Sequence, residues 1–76
     1  MTSGKPLGWF VKVTIAAGGT MEYVAGFFIP EEAEEAVADA RHHPAGEKYK
    51  ARDPITASHG PKIEPGEVRE WTRLRL

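Results

Sequence analysis

The sequence contains no cysteine, so neither disulfides nor thiolate-held zinc or iron–sulfur sites can staple the chain. It also lacks any apolar run approaching the ~20 residues that a membrane-spanning helix requires. The segment from Met1 to Phe10 holds one lysine, no continuous apolar stretch and no small-residue cleavage pattern, so no signal peptide is expected. A cytoplasmic location is the default expectation, without a membrane partner. An excess of charge of one sign is missing as well. The 10 Lys and Arg residues face 11 Asp and Glu, a formal net charge of −1 at pH 7. The whole molecule therefore offers no strong field to nucleic acid or to an anionic membrane.

What is present fits one small globular domain spanning residues 1–76. A chain of 76 residues sits near the lower limit for folding on packing alone. Hydrophobic residues at 41% with 28% charged argue against disorder. Residues 1–7 read as a flexible lead-in.

Four periodic stretches follow, punctuated by glycine and proline. Trp9 to Ala16 alternates in the manner of a strand, with Trp9, Val11, Val13 and Ile15 on one side. Thr20 to Ile29 is rich in aromatic and β-branched residues and reads as a second strand. Ala17-Gly18-Gly19 between them signals a hairpin. A two-residue turn would pair Ile15 with Glu22 and mix charge into the apolar side. A three-residue loop with Gly19 in the left-handed region pairs Ile15 with Met21, Val13 with Tyr23, Val11 with Ala25 and Trp9 with Phe27. The second register keeps apolar partners on one face and is the one expected.

Pro30-Glu31-Glu32 opens a helix, since proline suits the first helical position and acids suit the positive end of the dipole. Ala33, Ala36, Val37 and Ala40 form its narrow apolar stripe. Arg41, His42 and His43 are expected in the last turn, before Pro44 and Gly46 end the run. So small a stripe brings little bulk, and the strands must fill the core. Glu47 to Arg52 reads as a short third strand, with Tyr49 and Ala51 inward. Residues 53–66 read as a long surface loop with Ile55 as an anchor. Glu67 to Leu76 reads as the fourth strand, with Val68, Thr72, Leu74 and Leu76 on one face. The expected fold is a single α+β domain in the order ββαββ, a four-stranded mainly antiparallel sheet with one helix packed on one face.

The sheet face turned away from the helix is the most suggestive feature. Alternation assigns to it Phe10, Lys12, Val24 and Phe28 from the hairpin. The later strands add Lys48, Lys50, Arg52, Arg69, Trp71, Arg73 and Arg75. The stretch from Glu31 to His43 meanwhile carries five acids and one arginine. A basic face studded with aromatic rings is what binds single-stranded nucleic acid, with rings stacking on bases and cations meeting phosphates. The same face is expected in any solvated antiparallel sheet, where charge also protects edge strands. The favoured expectation is a non-enzymatic interaction or accessory protein using this sheet face or an edge strand. Its candidate surface is Phe10, Lys12, Val24, Phe28, Lys50, Arg69, Trp71, Arg73 and Arg75, toward a protein partner or a second copy in a homodimer. The alternative is binding of single-stranded nucleic acid, with Phe10, Phe28 and Trp71 as stacking residues and Lys12, Lys50, Arg73 and Arg75 as phosphate contacts.

Other chemistry is not expected. Adjacent His42 and His43 on a helix point ~100° apart and do not chelate one metal. Asp53, Ser58 and His59 lack the elbow and the separate scaffold elements of a catalytic triad. The helix carboxylates Glu31, Glu32, Glu34, Glu35 and Asp39 read as a solvated face rather than a calcium loop. Gly18-Gly19 fits no phosphate-binding fingerprint. No cofactor is expected.

Overall fold

A computed structural model describes residues 6–58 and 60–71. Alternating apolar residues form β1 (Gly8–Thr14) and β2 (Thr20–Ala25), followed by α1 (Pro30–Ala40), β3 (Lys48–Ile55) and β4 (Val68–Glu70). All pairings are antiparallel, in the order β3-β1-β2-β4. The ββαββ order and the helix packed on one face of the sheet follow the expectation. The first hairpin occupies the centre, leaving β3 and β4 as edges.

The hairpin loop has the expected three residues but lies one position earlier. Ile15 N–H donates to the Gly19 carbonyl at 3.1 Å, and Gly18 N–H to the Ile15 carbonyl at 2.9 Å. Gly18, at φ 102°, takes the left-handed position that closes such a loop. The register is consequently Val13 with Met21, Val11 with Tyr23 and Trp9 with Ala25. That is a shift of two residues along the partner strand, which leaves every side chain on its expected face.

Pro30 stands in the first turn of α1, with acidic Glu31 and Glu32 beside it. The helix stops at Ala40, so Arg41, His42 and His43 lie beyond the last turn rather than in it. Crossed bonds from His43 N–H to the Ala38 carbonyl and from His42 N–H to the Asp39 carbonyl close its end. This closure needs a left-handed residue, and His42 supplies it at φ 65°. Ala33, Val37 and Ala38 are the buried helix residues; Ala40, expected in the stripe, is exposed. Ala33 and Val37 pack on Val11, Val13 and Ala25, with Trp9, Tyr23, Phe27 and Tyr49 filling the periphery.

β3 runs three residues past its expected end, because an edge strand tolerates Pro54. A bulge makes the difference. Phe10 pairs with Asp53 while Val11 pairs with Ala51, so Arg52 is an extra residue. One inserted residue flips all that follows to the opposite face. Ile55 therefore lands opposite Gly8 and joins Phe10 and Val24 in a second buried cluster, on the side away from the helix. Leu7, expected to be flexible, is tied by its N–H to the Ile55 carbonyl at 2.6 Å. The chain after β3 folds over this second cluster, and Ile63 and Trp71 cover it. Its return is clamped at Gly26, whose N–H donates to Glu67 and whose carbonyl accepts from Gly66, each at 2.7 Å.

Candidate functional site

The outer face divides into a covered half and an open half. In the covered half Phe10 is only 7% exposed and Val24 is fully buried, which corrects the expectation that both present themselves to a partner. The correction follows from Ile55 and Ile63, two apolar residues that the bulge and the loop bring onto this side. Trp71 is half-buried and meets the Phe10 ring edge-on, at a centroid separation of 6.1 Å. Its Nε1 is buried and has no hydrogen-bond partner among the described residues. Arg69 is exposed but engaged, donating to the Lys62 carbonyl at 2.8 Å and meeting Glu67 at 3.4 Å. Arg73 and Arg75 lie outside the described residues, as do Thr72, Leu74, Leu76 and His59.

The open half is built by β1 and β3. Lys12 on β1 stands in register with Lys50 on β3, and Thr14 with Lys48. The bulge adds Arg52 to the same row. These four cations and Thr14 line a concavity of about 640 Å³ along β3, and no carboxylate lines it. Among the described residues none of the four forms an ion pair. Glu22 is the register partner of Lys12 on its other side. Like charges directly opposite in a sheet cost roughly 0.2–1 kcal/mol, so this row is held against a small energetic penalty.

A polar network missed at the sequence level ties the end of the helix to β3. Arg41 makes a two-pronged contact to Glu47, with Nε to Oε1 at 2.7 Å and Nη2 to Oε2 at 2.5 Å. Its Nη1 reaches the Tyr23 hydroxyl at 3.0 Å, and the guanidinium lies over the Tyr23 ring. Tyr49 donates its hydroxyl to Glu47 at 2.8 Å. The Glu47 side chain is 3% exposed. The guanidinium contact holds the Glu47 carboxyl below its ordinary range and raises Arg41 in turn. Burial, helped by the bond to Glu47, pushes the Tyr49 phenol up. Every strong donor here is matched, so the network braces the fold and leaves no group for chemistry. An arginine and a glutamate flanking Pro44 and Gly46 were the signal that could have found it.

The remaining candidates do not converge. His43 pairs with Asp39 one helical turn away. Asp53 sits on the outer face of β3 in register with Phe10, and Ser58 is exposed on the following turn. Among the described residues no group of three or more His, Asp or Glu side chains is placed to hold a metal ion. No helix of the described residues is long and apolar enough to cross a membrane. Among the described residues Leu7, Phe28 and Ile29 are the exposed large apolar ones, with Phe28 the most open at 63%. No known family model matches the chain, and no characterised protein or solved structure matches it either.

Proposed function

We propose that this protein is a non-enzymatic interaction module that engages an anionic partner through the open half of its outer sheet face. The observation that carries this reading is the row of Lys12, Lys48, Lys50 and Arg52. Four cations line one concavity without an acid among its lining residues, two of them in direct register, in a chain whose net charge is −1. Glu22 and Asp53 lie on the same outer face, yet neither lines this concavity.

The row also bears on the homodimer. Two copies pairing through β3 about a twofold axis perpendicular to the sheet keep like faces together. The cations of one copy would then flank those of the other, and acidic helix would meet acidic helix. A foreign anionic surface meets no such repulsion.

Cation-exchange retention tests the reading. The native protein should be retained at neutral pH despite its net negative charge, and Lys12→Glu with Lys50→Glu should abolish retention. Lys62→Glu, an exposed change on the loop, controls for charge alone. Equal loss of retention in single Lys50→Glu and Lys62→Glu proteins would show that only net charge matters, and the reading would fall.

A further inference from the structure

Resting on that reading, we infer that the ligand of the β1–β3 cation row is the phosphate backbone of single-stranded nucleic acid, held without base stacking. No exposed aromatic ring of the candidate surface stands beside the row: Phe10 lies in the second core, Trp71 packs edge-on against it, and Phe28, though exposed, lies past the end of β2 and does not line the concavity. The cations are not withdrawn. Lys48 and Lys50 are alternate strand residues, ~6.6 Å apart along β3, and Arg52 extends the file through the bulge. That repeat is comparable to the separation of neighbouring phosphates along an extended strand. Lys12 stands one strand away, ~4.8 Å to the side, close enough to grip the same backbone. A duplex presents a second backbone across a groove ~12 Å wide, and the single file has no second row to meet it.

An acidic peptide is the competing occupant, and the edge of β3 disfavours it. Extended peptides gain affinity chiefly from main-chain hydrogen bonds to a free sheet edge. Here the Ala51 N–H is taken by Glu34 at 2.7 Å, Arg52 sits in a bulge, and Pro54 has no N–H to give. A peptide would be left with exposed carboxylate–lysine pairs, which contribute little. A nucleic acid strand needs no edge. Neutralising its phosphates releases condensed counterions, and this drives binding without defined pairing geometry. The acidic helix lies on the opposite face and orients the row toward the strand.

The test is fluorescence polarisation of the full chain with a labelled oligothymidylate at a series of salt concentrations. Four phosphate contacts predict a slope of log affinity on log salt of about −2.8 for a single strand. Lys12→Gln with Lys50→Gln should weaken binding roughly 10- to 100-fold at low salt and flatten the slope by about 1.4. Mixed-sequence strands should bind as oligothymidylate does. A strong base preference, or tighter binding of duplex than of single strand, would overturn the inference. So would equal or tighter binding of a polyglutamate peptide of matched charge, although the anion-binding surface would then stand. Failure of every polyanion, together with loss of cation-exchange retention, would remove both.

Discussion

Lys12 and Lys50 face each other in register across β1 and β3, on the side of the sheet that the helix does not cover. Their repulsion opposes folding, so the position trades stability for a charged surface. Lys50→Glu should raise stability by about 0.5 kcal/mol at low salt, and the gain should shrink as salt screens the pair. Urea midpoints at low and high salt read both effects. The same substitution should lower affinity for a polyanion, and a protein destabilised by it would mean that Lys50 serves the fold instead.

Gly26 shows how closely the returning chain lies on the sheet. A Cβ at this position would overlap the Glu64 carbonyl oxygen, a backbone atom that cannot swing aside. Gly26→Ala should therefore cost about 2–3 kcal/mol, within the usual range for overpacking. It should also loosen the cover over Phe10 and Val24. A red shift of tryptophan emission below the unfolding transition would report Trp71 leaving its place beside Phe10.

That cover marks the boundary of what the sequence disclosed. The strands of the hairpin, the Pro-Glu-Glu helix opening and the inward faces of Tyr49 and Ala51 were legible, because each rests on local period or capping chemistry. The hairpin loop was legible in length and slid by one, since Gly18 and Gly19 can both adopt positive φ. The bulge at Arg52 was not legible, and it reverses the faces of the β3 residues after it, Asp53 to Ile55. Ile55 thereby moved from loop anchor to second core, and with it Phe10 and Val24 became buried. Outward-facing Phe10 and Val24 were themselves a sign that something covers them, with Ile55 and Ile63 as the apolar residues able to do so. The cations Lys12 and Lys50 stayed where alternation put them because they precede the bulge.

His42 occupies the left-handed position that ends α1, at φ 65°. A side chain there costs about 1–2 kcal/mol against the strain-free glycine, offset in part by the greater unfolded entropy of glycine. His42→Gly should stabilise the protein by about 0.5–1 kcal/mol. For a domain of this size that is several degrees in melting temperature. No gain would mean that the imidazole makes a compensating contact.

Glu47 links stability to pH. Its folded carboxyl is held below the ordinary range by Arg41. The contribution is therefore fully present above the ordinary carboxylate range, and it is lost as pH falls through that range toward the lowered folded value. Urea midpoints should fall on acidification below about pH 4.5. Glu47→Gln should lower stability at neutral pH and remove part of the acid dependence, because the group that titrates is gone. An unchanged acid profile in Glu47→Gln would assign the dependence to other carboxylates.

Glu34 guards the β3 edge. Its carboxylate accepts the Ala51 N–H at 2.7 Å, a donor that would otherwise face the open side of an edge strand. Glu34→Ala should cost about 1 kcal/mol for the lost bond and expose a pairing site for another copy. Self-pairing through this edge would set Lys48, Lys50 and Arg52 beside their counterparts, so association should rise with salt as that repulsion is screened. The sign is opposite to the salt response of nucleic-acid binding, which separates the two behaviours in one protein. Sedimentation equilibrium of Glu34→Ala across a salt series measures it. Glu34→Gln keeps an acceptor for the Ala51 amide while losing the charge, and it should associate no more than the wild type. Equal association of the Ala and Gln proteins would show that the charge of Glu34, rather than its hydrogen bond, keeps the edge closed.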